Sequence, residues 1–314
     1  MNLHEKELRE VYADTLIELM EKNPRVLCLE ADLGKANGTV PRLPDAFPNR
    51  FFDTGVAEAN MVGIAAGLAN EGMIPFCASF TCFASRRVYD QLTISVAYAN
   101  NPVKIIGTAP GVTATYNGAT HMCFQDMAII RSMPNMHVYA PADAYELRSV
   151  IRYMASTPRP IYMQLIREKM PKIFDEDYVF DPLRARVLTE GEDVTLVTTG
   201  LTTKIALDAS ETLKKEGIRA EHLHYPSVKP FDADTLVGSV MKTGAAVTVE
   251  NQNVIGGLGS AVCEVLSERH PVKVKRLGVQ DRFGEVGSLD YLIETMGIGV
   301  KDIVEACKEM KHSR

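Results

Sequence analysis

No dense run of lysine and arginine occurs in this chain, and its 34 basic residues are outnumbered by 40 acidic ones, for a formal net charge of −6. Nucleic acid and anionic membrane surfaces are therefore poor partners, and a small molecule is the expected ligand. No stretch of about 18 apolar residues is present, so no membrane-spanning helix is expected. The opening Met1-Asn2-Leu3-His4-Glu5-Lys6-Glu7 lacks the apolar centre of a signal peptide, which predicts a cytoplasmic protein. The six cysteines, Cys28, Cys77, Cys82, Cys123, Cys263 and Cys307, form no Cys-x-x-Cys pair and no zinc-like spacing. They read as small buried apolar residues, with Cys82 and Cys123 also placed where a reactive thiol would matter. Short repeats and low-complexity tracts are absent as well. What remains is a chain of 314 residues, 46% apolar and 24% charged, enough for two domains with ordinary cores.

Apolar runs alternate with helical spacing along the first part of the chain. Strands are predicted at 25–30, 51–55, 74–78, 103–108, 137–140 and 161–165, and helices at 5–22, 59–71, 83–99, 124–132 and 144–156. This order implies βαβ crossovers and a mostly parallel sheet flanked by helices. From Lys169 the pattern weakens through Pro171, Asp175-Glu176-Asp177, Pro182 and Gly191. The expected division is a first domain over 1–170, a linker over 171–191 and a smaller α/β domain over 192–314. In that second domain strands are predicted at 194–198, 220–224, 246–250 and 272–278.

Four places could carry chemistry. Phe51-Phe52-Asp53-Thr54-Gly55-Val56-Ala57-Glu58 sets one carboxylate where a strand turns into a helix whose apolar residues recur at Met61, Ile64, Ala65 and Leu68. Glu58 is then either an idle acid stabilised by the helix dipole or a desolvated carboxylate that must share a proton with a basic heterocycle. Phe80 and Phe83 follow a strand end and read as core or as an aromatic platform, with Arg86, Arg87 and Asp90 close behind. The Gly/Thr-rich stretch from Gly107 to His121 is a long loop in which His121 either caps structure or binds substrate oxygens and moves a proton. Arg167 leaves a strand at its carboxyl end, suited to an anion or to a linker carboxylate.

Taken in order, these residues resemble the transketolase family, in the form that carries only the C-terminal half of the enzyme. The likeness runs through Leu8-Arg9-Glu10-Val11-Tyr12, Glu30-Ala31-Asp32-Leu33, Gly55-Val56-Ala57-Glu58, Phe80, Phe83, Thr120-His121, Arg131-Ser132-Met133-Pro134-Asn135, Pro141-Ala142-Asp143 and Arg167. It continues in Val228-Lys229-Pro230, Val249-Glu250-Asn251, Gly256-Gly257-Leu258-Gly259 and Asp281-Arg282-Phe283-Gly284. The glycine turn at 256–259 is given no site, since close packing explains it equally well.

The resemblance implies a pyrimidine-binding domain followed by a transketolase C-terminal domain, and thiamine diphosphate as cofactor. Glu58 matches the family's catalytic glutamate, which hydrogen-bonds N1′ of the aminopyrimidine. Phe80 and Phe83 match the pyrimidine pocket, Asp32 an acid near the thiamine, and Arg86 stands where many members have a further aromatic residue. His121 matches a group bonding substrate hydroxyls, and Arg9 and Arg167 match the phosphate side. Two departures stand at substrate positions. Asn117 replaces the usual aspartate of Asp-Gly-x-Thr-His-Gln, and Ala36 replaces a common serine, so a modified sugar or an unusual acceptor is expected. The Gly-Asp-Gly signature for Mg²⁺ and the diphosphate is absent, so no metal ligand is assigned to this chain. The resemblance therefore implies a separate N-terminal subunit supplying Mg²⁺ and the diphosphate site, in an α₂β₂ heterotetramer. The beta subunit of a 2-oxo acid dehydrogenase shares the domain order and the glutamate, and a non-catalytic scaffold subunit is the remaining alternative.

Overall fold

The computed structural model describes residues 2–312, which divide into two compact units. Of the described residues, the first comprises 2–110 and 129–180, and the second 111–128 and 181–312. In the first, strands β1 (Val26–Glu30), β2 (Phe51–Asp53), β3 (Ile74–Phe80), β4 (Lys104–Thr108), β5 (His137–Tyr139) and β6 (Ile161–Leu165) pair in the order β5-β6-β4-β3-β1-β2, all parallel. Helices α1 (Leu8–Lys22), α2 (Arg42–Ala46), α3 (Glu58–Asn70), α4 (Thr81–Ala84) and α5 (Tyr89–Gln91) belong to it, α6 (Asp126–Arg131) crosses the boundary, and α7 (Ala144–Ser156) completes it. Strands β1, β4 and β6 are buried at every residue, as expected where helices cover both faces of a parallel sheet.

Register brings the strand ends into one row. Glu30 pairs with Ala78, Phe80 with Thr108, and Thr108 with Leu165. Asp32, Phe80 and Arg167 therefore all emerge at the carboxyl edge of the sheet, where ligands of open α/β folds bind. Burial on α3 follows Glu58, Met61, Val62, Ala65, Ala66 and Ala69. Glu58 thus opens the buried stripe, while Ile64, expected within it, is 39% exposed. The continuous helix expected at 83–99 is broken into α4, α5 and a π-helical stretch at Leu92–Tyr98. Its buried residues Leu92, Val96 and Ala97 lie four and five apart, the wider spacing of that turn.

The second unit holds strands β7 (Arg186–Thr189), β8 (Val194–Thr198), β9 (Ala220–His224), β10 (Ser227–Lys229), β11 (Ala245–Asn253) and β12 (Lys273–Val279). Five of them form a sheet in the order β12-β11-β8-β9-β7, parallel except for the edge strand β7. That edge strand lies within 171–191, the stretch expected to be linker; its four half-polar residues are too few to show a strand period. Helices α8 (Thr202–Lys215), α9 (Ala233–Thr243), α10 (Leu258–Arg269), α11 (Leu289–Thr295) and α12 (Val300–His312) accompany it. No helix among the described residues is long and apolar enough to cross a membrane.

At the end of β1, Glu30 is fully buried and accepts hydrogen bonds from Asn37 Nδ2 and Thr39 Oγ1, both at 2.8 Å. Burial pushes its carboxyl up from 4.5 to about 8, against those two bonds. Between these values the native chain keeps a proton that the unfolded chain has lost, so stability is full below pH 4.5 and falls as pH rises through about 8. The expected slope from this group is at most about 1.4 kcal/mol per pH unit. Urea unfolding at pH 5, 7 and 9 checks it: Glu30→Gln should lose stability less steeply than wild type across this window. Parallel curves would show that Glu30 is ionised in the native chain.

Candidate active site

Glu58 begins α3 directly after the β2 turn, with its side chain 2% exposed. A carboxylate so placed needs donors. It receives them from one guanidinium: Arg87 Nη1 reaches Oε1 at 2.9 Å and Oε2 at 2.8 Å. The same guanidinium lies over the Phe83 ring, 4.0 Å from its centroid. Phe83 in turn stands 6.1 Å from Phe80, ring centre to ring centre. Phe80 ends β3 and Phe83 lies in α4, whose first residue is tied to the tip of β4 by Thr81 Oγ1 donating to Thr108 O at 2.9 Å. Glu58, Phe80 and Phe83 are therefore brought together, with Arg87 as the link. The arginine that meets Glu58 is not Arg86, the residue that the resemblance sets among the cofactor contacts. Arg86 is exposed and lies near the Cys82 thiol, which burial pushes up in spite of that arginine. Both arginines lie in the turn that follows α4, and Arg87 is the one whose guanidinium meets Glu58.

Asp32 sits beyond β1 in a left-handed conformation, φ 59°, that Asp tolerates through local hydrogen bonding. Its N–H donates to Asp53 Oδ1 at 2.9 Å, as does that of Gly55, so Asp53 draws the ends of β1 and β2 together. Arg9 and Arg167 form a second group on this edge. The Arg9 N–H donates to Arg167 O and the Leu8 N–H to Glu168 O, both at 3.2 Å, which sets the two arginines side by side. Arg167 lies over Phe80 at 5.0 Å, and its Nε is buried without a partner. Burial pulls Arg167 down from its usual value, with Arg9 acting in the same direction and Glu168 opposing.

Asn117 and His121 belong to the second unit. A 3-10 turn at Gly118–Thr120 separates them, and Thr120 Oγ1 lies 2.8 Å from His121 Nδ1. The start of this loop is pinned by Asn251, whose Oδ1 accepts from Val112 N at 2.9 Å. Gly111, at φ 55°, packs so closely that a Cβ would overlap Asn251. Next to it, Glu250 fills the glycine turn: its carboxylate accepts from Leu258 N and Gly259 N, both at 2.8 Å, at the N-terminus of α10. An anion site of the kind a helix N-terminus offers is thus satisfied from within the chain. Asp143 has a comparable role in the first unit, capping α7 through Tyr145 N and Glu146 N and holding Ile173 N and Phe174 N. The motifs around Asp143, Glu250 and Asn251 are therefore accounted for by backbone anchoring. Among the described residues, no three His, Cys, Asp or Glu side chains gather as a metal site.

Residues 4–172 match the model of the transketolase pyrimidine-binding domain, and residues 183–303 that of the transketolase C-terminal domain. The chain belongs to the transketolase family. It is 48% identical over 310 residues, 99% of its length and 96% of the relative's, to the 6-deoxy-6-sulfo-D-fructose transketolase subunit SqwH of Clostridium sp. (strain MSTE9). It is 32% identical to an apulose-4-phosphate transketolase subunit of Phocaeicola vulgatus, with 96% of each chain covered. A solved split-gene transketolase, described as an inactive beta4 tetramer, superposes with a TM-score of 0.89 at 40% identity and 98% coverage of both chains. Within the family, the chain is a subunit of the split kind.

Proposed function

We propose that this chain, together with a separate diphosphate-binding subunit in an α₂β₂ assembly, transfers a two-carbon ketol unit from an anionic ketose to an aldose or related acceptor. The observation that carries this reading is the Arg87 guanidinium on Phe83, giving N–H groups to the buried Glu58 carboxylate. A flat nitrogen-bearing group stacked on that ring and bonded to that acid is the arrangement an aminopyrimidine requires, so these residues fit thiamine diphosphate. Arg87 is long and its side chain 45% exposed, so it can move aside. When bound, the cofactor supplies the electron sink for the two-carbon fragment.

The roles we assign to the chain rest on the family resemblance and, for Glu58, Phe80 and Phe83, on the contacts just described. Glu58 holds a proton at the pyrimidine nitrogen, and Phe80 and Phe83 orient the ring and exclude water. Asp32 and Arg86 are assigned to the thiamine side by the family resemblance. Asn117 and His121 bond sugar hydroxyls, and the His121 imidazole can also pass a proton. Arg9 and Arg167 take the anionic end of the sugar, which fits the sulfonate and phosphate sugars in the relatives' names. Mg²⁺ is assigned to the partner subunit.

Mixing the chain with the diphosphate-binding subunit, Mg²⁺ and thiamine diphosphate should yield ketol transfer from 6-deoxy-6-sulfofructose or a phosphoketose, measured by appearance of the shortened aldose. The chain alone should be inactive. Decarboxylation of 2-oxo acids with no ketol transfer would overturn the assignment in favour of a 2-oxo acid dehydrogenase subunit.

A further inference from the structure

The arginine pair at the carboxyl edge of the first unit has a third member. Arg9 Nε and Nη2 both point at Glu7 Oε2, each at 2.6 Å, and Nη1 donates to Ala36 O at 3.2 Å. All three nitrogens of Arg9 are thus engaged within the chain, while Arg167 keeps a buried Nε without an acceptor. An oxyanion supplies the acceptor that Arg167 lacks, but it meets a cradle in which one of two positive charges is already matched by a carboxylate.

We propose that Glu7 makes the Arg9–Arg167 cradle select a singly charged end group, a sulfonate, over a doubly charged phosphate. This rests on the reading of the two arginines as the site of the sugar's anionic end. Attraction to a fixed set of charges grows in proportion to the ligand's charge, whereas the cost of removing the ligand from water grows as its square. Two unopposed arginines offset the larger cost of a dianion. With Glu7 in place the positive potential is reduced, and the monoanion gains the advantage. Glu168, the next residue after Arg167, acts on Arg167 in the same sense. A capping box closes the start of α1: the Glu7 N–H donates to Glu10 Oε2 at 2.9 Å, and the Glu7 side chain accepts from the Glu10 N–H, so Glu7→Gln removes the charge while keeping an oxygen that accepts there.

The test uses the full chain and two small probes, methanesulfonate with one negative charge and methyl phosphate with nearly two at pH 7.5. Binding is followed through the Arg167 Nε–H resonance by NMR. Wild type should bind methanesulfonate at least as tightly as methyl phosphate. Glu7→Gln should tighten methyl phosphate about 10-fold and methanesulfonate about 3-fold, since the relief of one carboxylate counts twice for a dianion. A merely structural role for Glu7 would shift both probes equally, and that result overturns the proposal. So does a wild-type preference for methyl phosphate, or a resonance that neither probe moves. In the reconstituted pair, the same substitution should raise kcat/KM for a phosphoketose relative to the sulfoketose. A chain that discriminates the probes as expected and yet transfers no ketol unit would leave the charge selection standing and remove the transketolase reading of the site.

Discussion

Glu58→Gln should lower ketol transfer by the reconstituted enzyme about 10³-fold, within the range removed when a positioned proton-transfer group is lost. That is about 4 kcal/mol of barrier. The substitution keeps the shape of the side chain and leaves an amide oxygen that still accepts from Arg87 Nη1. What disappears is the negative charge that, in the proposed role, holds a proton at the pyrimidine nitrogen. The loss should therefore fall in kcat, with the KM for the ketose little changed, because the sugar's anionic end is assigned to Arg9 and Arg167. Steady-state kinetics on wild type and mutant, with circular dichroism to verify folding, separates these terms. A loss smaller than about 10-fold would remove Glu58 from the chemistry.

The largest effect on stability is expected from Gly257→Ala in the second unit. A Cβ at this position would fall inside the Glu250 carboxylate. That carboxylate is fully buried and accepts from two N–H groups of α10, so forcing it aside breaks both of these buried bonds together. Breaking a buried charged contact of this kind costs about 3–5 kcal/mol. Gly238→Ala is the control: it lies within α9, where a Cβ meets nothing within 4 Å. Helix propensity alone should then stabilise the chain by roughly 0.5–1 kcal/mol. Urea unfolding of both variants should move in opposite directions. Equal midpoints would show that the glycine turn is loose enough to accommodate a methyl group and that Glu250 does not hold it.

Much of the architecture is legible along the chain because the periods of strand and helix are local. Strands β6, β8 and β9 and helix α7 occupy the ranges that spacing predicts. Glu58 is also in phase with Met61, Val62 and Ala65, which is how a reader of the sequence can tell that this acid is buried. The period fails where residues pack at unusual intervals, as in the π-helical stretch at Leu92–Tyr98, or where an element is too short to show one, as in β7.

The sequence by itself determined an α/β chain with two compact regions, a buried acid at the head of α3, aromatic and basic groups at strand ends, and a loop bearing His121. The tertiary structure alone decided what each of these touches. It set Arg87 against Glu58, a contact across 29 residues. It joined Asn251 to Val112 across 139 residues, and with that anchor the loop of Asn117 and His121 belongs to the second unit. It placed the Glu7 carboxylate against Arg9, where charge along the sequence showed only an acid near a base. Periodicity records which side of an element faces the core, but a hydrogen bond depends on where two distant backbones meet and how their side chains turn. That information exists only once the strands are in register.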